Sequence, residues 1–207
     1  MGLFTMPRLK TVDSKKIIET YYADITGFGI AHDDEKHIID CGGAPTYGEM
    51  TFEGVETLLQ YLKPQKTDVF VDAGCGVGKL VVQFFFSTDV AKAVGIELSK
   101  ERSEKAMSVK AALAKDGLLP SNRSLELYHA DILDVDIHDA TIFFMCSTCF
   151  SSELMQKITH KLSGLKPGLR VITLKELPET QRFVLRETLR LPMTWSSATS
   201  VYCYELI

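Results

Sequence analysis

The stretch that most constrains the fold is Asp68-Val-Phe-Val-Asp-Ala-Gly-Cys-Gly-Val-Gly-Lys79. Val69, Phe70 and Val71 have buried-strand character, and the run ends on an acid, Asp72. Gly74, Gly76 and Gly78 then alternate, and an apolar run from Leu80 to Phe86 opens a helix. Strand, tight turn and helix in that order make the opening βα unit of a doubly wound sheet. Glycine lacks Cβ, so it tolerates positive φ and lets the backbone pass close to a ligand. Such a turn lies at the carboxyl end of a strand, where open α/β sheets bind ligands. The spacing is G-x-G-x-G, not the dinucleotide G-x-G-x-x-G, and there is no G-x-x-x-x-G-K-[ST] phosphate loop. A nicotinamide site and a glycine turn that binds nothing remain open.

The chain has 207 residues, enough for one domain with a full core or one domain plus a short arm. A net charge of −4 excludes a generally basic nucleic-acid binder, though not a local basic patch. The five cysteines are odd in number and scattered, which fits reduced intracellular thiols better than a disulfide framework. Cys146 and Cys149 form one C-x-x-C: a weak zinc signal, a redox dithiol, or two small residues at a strand end. No apolar run approaches the ~18 residues of a membrane span. Met1 to Lys10 lacks a secretory core, so cytosol or nucleus is expected.

Residues 1–13 read as an extended arm. Helical spacing of Ile17, Ile18, Tyr21, Tyr22 and Ile25 predicts a helix from Ser14, its cap, to Thr26. Residues 27–50 read as loop. His32 and His37 lie there among Asp33, Asp34 and Glu35, either as a solvated acidic loop or as a metal site, and the former is preferred. Thr46-Tyr-Gly-Glu-Met-Thr51 precedes a helix over 52–62 with Thr51 as cap. It is either a surface turn or a lid over a ligand. Strands follow at 68–72, 92–97, 125–129, 140–146 and 170–175, with helices over 77–87, 99–115 and 152–162 between them. Two final runs, 183–191 and 199–207, read as antiparallel strands joined through 192–198.

The glycine turn is followed one βα unit later by a strand ending in an acid, Val94-Gly-Ile-Glu97. D-x-G-x-G-x-G with this second acid resembles the S-adenosylmethionine site of class I methyltransferases. The resemblance implies an α/β, Rossmann-like, doubly wound seven-stranded sheet whose last strand is antiparallel, with a short N-terminal helical extension. It implies that Asp72, Gly74, Gly76, Gly78, Glu97 and Leu98 bind the cofactor. Asp131 would meet the adenine amino group and Ile132 flank the ring.

Thr46-Tyr-Gly-Glu49, one helix, then Val71-Asp-Ala-Gly-Cys-Gly-Val-Gly78 is similar to the disruptor-of-telomeric-silencing histone-lysine methyltransferases. The likeness runs from about Ala44 to Ile207 and includes Trp195 and Tyr202. It implies that residues 1–50 hold an arm, a helix and a cofactor-covering loop, and that 51–207 form the methyltransferase domain. Tyr47, Glu49 and Thr51 would cover the cofactor. Cys146 and Ser147 would lie near the methyl group, with Phe150 beside them; Tyr47, Trp195 and Tyr202 would line the lysine channel. The family's Asn-Asn pair is replaced by Cys146-Ser147, and its Gln by Lys79. No Lys/Arg-rich tail follows Ile207, so a strong grip on DNA is not expected. The expected activity is protein-lysine N-methylation without a metal. The alternatives are methylation of a small molecule or RNA, and a catalytically weak cofactor-binding module.

Overall fold

The computed structural model describes residues 13–178 and 181–207. The arm expected over 1–13 lies outside them except for Asp13. The elements run α1 (Ser14–Tyr21), α2 (His32–Asp40), α3 (Phe52–Leu62), β1 (Val69–Ala73), α4 (Lys79–Ser87), β2 (Lys92–Glu97) and α5 (Lys100–Lys115). β3 (Ser124–His129), β4 (Ile142–Met145), α6 (Ser152–Ser163), β5 (Arg170–Thr173), β6 (Phe183–Met193) and β7 (Ser196–Leu206) complete the chain.

The strands form one seven-stranded sheet in the order β3-β2-β1-β4-β5-β7-β6. β1 to β5 pair in parallel, and β7 runs antiparallel to both β5 and β6. This is the expected doubly wound sheet with an antiparallel end. The order reverses between β1 and β4, so the crevice at their carboxyl ends is the topological switch point.

β1 is buried along its whole length, as a central parallel strand should be. Its side chains alternate between two cores. Phe70 stacks on Phe84 of α4, ring centroids 3.8 Å apart, in the core that also takes α3 and α5. Val69, Val71 and Ala73 face the other core with Phe143, Met145 and Ile158 of α6. Asp68, at the entry to β1, is fastened by Thr141 and by an ion pair of 2.7 Å with Arg170.

Three local expectations are corrected. α1 is capped by Asp13, whose carboxylate accepts from the backbone of Lys15 and Lys16, and it stops at Tyr21, not Thr26. Ile25 keeps the spacing because it packs on the core from the following turn. Residues 32–40, read as loop, are a helix. α2 buries only Ile38, so it has no apolar stripe, but Asp33, Asp34 and Glu35 in its first turn favour the helix dipole. The final hairpin is longer and tighter than expected, and only Thr194 and Trp195 separate β6 from β7. Pro192 lies inside β6, which is tolerable because β6 is the edge strand and its register shifts beside Pro192.

Candidate active site

The turn after β1 is built around three left-handed glycines. Gly74, Gly76 and Gly78 have φ of +80°, +58° and +78°. The N–H groups of Gly74 and Cys75 donate to the Ile96 carbonyl at 2.8 and 3.1 Å, which pins the turn to the tip of β2. A Cβ on Gly76 would lie 2.7 Å from the Tyr47 ring. Glu97, at the end of β2, accepts from Gly76 N at 2.7 Å and from Ser99 N at 2.8 Å. Burial raises its carboxyl above the ordinary value, against those two hydrogen bonds and the nearby Arg102.

Asp72 is buried beside this turn, and its Oδ1 has no partner. Burial first, and the charge of Glu97 second, push its carboxyl well above the usual range. Among the described residues four buried side-chain atoms lack a partner, and only the Asp72 atom belongs to a residue lining the main cavity. An unsatisfied buried carboxylate is costly unless something cationic or donating meets it.

The cavity has a volume of about 390 Å³ and opens at the switch point. Its roof is the loop 46–51. Tyr47 donates to Glu49 Oε1 at 2.5 Å, and Lys79 Nζ meets Glu49 Oε2 at 2.6 Å. Burial and then Glu49 raise the Tyr47 phenol, so it stays neutral. Arg102 of α5 lies 5.0 Å from the Tyr47 ring centroid and donates to the carbonyls of Gly27 and Pro45. The far end of the loop is stitched to the last hairpin. Glu49 N donates to Thr194 Oγ1 at 3.1 Å, Thr194 N to the Glu49 carbonyl at 2.9 Å, and Thr51 N to the Pro192 carbonyl at 3.2 Å. Trp195 packs so closely on Gly48 that a Cβ there would lie 2.4 Å from its ring.

The opposite wall comes from the segments after β3 and β4. Asp131 accepts from Leu133 N, and Lys161 of α6 donates to the carbonyls of Ile132, Leu133 and Val135 at 2.8, 2.7 and 2.6 Å. One ammonium therefore sets the path of the chain that carries Asp131 and Ile132. Burial and the Asp72 charge push the Cys146 thiol up to about 12.

Tyr47, Glu49, Asp72, Gly74, Gly76, Glu97 and Leu98 all line this one cavity. So do Asp131, Ile132, Cys146, Phe150 and Trp195. Four other expected site residues do not line it. Thr51 caps α3 by accepting from Gly54 N. A Cβ on Gly78 would face Ala106 and Leu127 in the core behind the turn. Ser147 is buried, shares a 2.7 Å hydrogen bond with Thr173, and accepts from the backbone of Leu174 and Lys175. Tyr202 pairs with Thr173 and Thr188 across β7.

Reasoning from sequence missed Ile38 and Cys41 of the α2 region, which close one side of the cavity, Arg102, which also lines it, and Lys161, which holds the segment behind Ile132. Asp34 holds α2 there: it accepts from Ser99 Oγ, Lys100 N and Glu101 N at the start of α5. Desolvation would raise Asp34, but those hydrogen bonds outweigh it and leave its carboxyl below the usual value. The three acids at 33–35 were the available signal for that helix start. Neither Arg102 nor Lys161 had one, since each acts on carbonyls distant in sequence. The pair His32 and His37 lies on α2, and no group of three metal-capable side chains occurs among the described residues. No helix among them is long and apolar enough to cross a membrane.

A family model described as histone methylation protein DOT1 matches residues 39–200. A histone-lysine N-methyltransferase, H3 lysine-79 specific, of Dictyostelium discoideum is 33% identical over 145 residues, 62% of this chain and 8% of that protein. Its Caenorhabditis elegans counterpart is 33% identical over 140 residues, 64% of this chain and 15% of that one. A protein-lysine N-methyltransferase of Saccharolobus islandicus is 30% identical over 119 residues, 58% of this chain and 69% of that protein. The chain thus spans a small part of the two eukaryotic relatives and about two thirds of the archaeal one. An RNA methyltransferase of Salinibacter ruber, solved with S-adenosyl-L-homocysteine, superposes with a TM-score of 0.56 at 22% identity, covering 73% of this chain and 89% of that one. A Pyrococcus horikoshii structure does so at 0.58 and 13%, covering 94% and 98%. These two establish the class I methyltransferase fold.

Proposed function

The chain belongs to the DOT1 histone methylation family, and from that premise we propose that it is an S-adenosylmethionine-dependent protein-lysine N-methyltransferase. The observation that carries this reading is the unpartnered Asp72 Oδ1 at the base of a cavity framed by Gly74, Gly76 and Glu97. A zwitterionic, cationic nucleoside suits those groups. Asp72 offers an acceptor to an ammonium, the left-handed turn lets backbone come close, and Glu97 has lone pairs left for sugar hydroxyls. Lys79, held by Glu49, lines the same cavity and gives it a cation that a carboxylate would favour.

When bound, the donor supplies a methyl group on a sulfonium, which passes to a neutral amine by in-line displacement. The chain's own residues hold, orient and dry the site. Asp131 and Ile132, on a segment that Lys161 fixes, would hold the adenine end. Tyr47 and Trp195 form apolar walls where a lysine side chain enters. Desolvation between aromatic walls disfavours the ammonium, lowering the amine from its ordinary pKa of ~10.4. A neutral Tyr47 bound to Glu49 is a wall and a donor, not a base. Ser147 and Tyr202 act from behind the wall, holding β5 and β7 in register.

The acceptor is a protein lysine, with histones one member of the class. A net charge of −4 gives no general attraction to nucleosomal DNA. Such a substrate fits a cytosolic or nuclear enzyme. Titration calorimetry with S-adenosylmethionine tests the site. Heat of binding that is lost in Asp72→Ala is expected; no heat at millimolar donor overturns the proposal.

A further inference from the structure

The turn that follows β4 is short, and four of its residues line the cavity. Ser147–Cys149 is a single 3-10 turn with Cys146 as its N-cap. Cys146, Thr148, Cys149 and Phe150 all line the cavity. In a 3-10 turn residues i and i+3 eclipse, and three rises of ~2.0 Å place their Cα atoms about 6 Å apart. Disulfides join Cα atoms separated by roughly 4.4–6.8 Å. The Thr148 hydroxyl donates to the Cys149 sulfur at 3.8 Å, and Cys146, Thr148 and Cys149 all line the same cavity wall. Both cysteines are free and partly exposed.

We propose that Cys146 and Cys149 form a dithiol that a hydroperoxide oxidises to a disulfide, and that this cross-link weakens binding of the methyl donor. The second half rests on the reading of the cavity given above. The Cys149 sulfur attacks one peroxide oxygen; the O–O bond breaks, water leaves, and a sulfenic acid remains. The Cys146 sulfur then attacks the Cys149 sulfur, the S–O bond breaks, and a second water carries off the last proton. Two thiols and one hydrogen peroxide give one disulfide and two waters, and two electrons pass from sulfur to oxygen. Burial beside Asp72 raises the Cys146 thiol and makes it the slower nucleophile, so Cys149 meets the peroxide first and Cys146 attacks only the neighbouring sulfenic acid. Drawing the sulfurs to about 2 Å pulls the Cys149 sulfur off Thr148 and reshapes the turn that holds Phe150 against Gly74.

The test uses the full chain, reduced or treated with hydrogen peroxide. Trypsin releases 124–157 as one peptide, whose only cysteines are Cys146 and Cys149. That peptide is expected to lose two hydrogens on oxidation. Donor affinity by calorimetry is expected to fall about tenfold and to recover with dithiothreitol. Cys149→Ser is expected to abolish both the mass loss and the loss of affinity on peroxide treatment. A peptide that keeps its mass or only gains oxygen overturns the dithiol. A disulfide that leaves donor affinity unchanged overturns the gating. If the reduced chain binds no donor, the affinity claim falls with the proposed function, and the peptide mass still decides the dithiol.

Discussion

Glu49 and Lys79, 30 residues apart, meet in an ion pair of 2.6 Å that ties the roof of the cavity to the first turn of α4. Their side chains are 18% and 27% exposed, so the pair is shielded enough for its loss to matter. The same carboxylate accepts the Tyr47 hydrogen bond, so one group sets both the loop and its aromatic wall.

Glu49→Gln keeps an acceptor for Tyr47 but leaves Lys79 without its counter-charge. The expected cost is about 1–2 kcal/mol of stability and roughly tenfold in donor affinity. Chemical denaturation and calorimetry read the two separately. Unchanged affinity would show that the roof does not depend on this pair.

Trp195 is the chain's single tryptophan and rests on Gly48. Gly48→Ala must displace the ring, because no side chain fits at 2.4 Å. A red-shifted emission and a methyl-transfer rate lowered about tenfold or more are expected, with donor affinity changed much less. Emission identical to wild type would place the indole elsewhere.

Asp72 gives the apo protein a pH dependence. Its folded pKa is raised, so the folded state holds the proton more tightly than the unfolded chain. The stability it contributes is complete below the unfolded value of ~3.9 and is lost as pH rises toward the folded value. Asp72→Asn should therefore gain melting temperature relative to wild type as pH rises from about 4 to 7, while binding donor less well. Melting curves at matched pH check this; a constant difference would mean Asp72 titrates normally.

Lys161 donates to three carbonyls of the segment 132–135. Lys161→Met should destabilise by about 1–3 kcal/mol and loosen the wall expected to meet adenine. Faster amide exchange confined to 131–135, with weaker donor binding, is the anticipated result.

The glycine turn, the two acids ending β1 and β2, and the parallel strands were legible because strand periodicity and left-handed turns are local properties of sequence. So was the loop over the cavity, since Tyr47, Glu49 and the cap Thr51 lie within five residues. Helix α2 was not, because it buries one residue and is held by bonds from its own Asp34 to the start of α5, distant in sequence. Arg102 and Lys161 were hidden for the same reason. The placement of Tyr202 and Ser147 depended on sheet pairing: Tyr202 pairs within β7 and Ser147 bonds Thr173, so neither lines the cavity.

The most direct measurement is transfer of a tritiated methyl group from S-adenosylmethionine by the purified chain into a whole-cell extract. Label in protein, recovered after hydrolysis as methyl-lysine and absent with Asp72→Ala, is the predicted result. Label confined to RNA or small solutes, or no transfer at all by a chain that binds the donor, would contradict protein-lysine methylation.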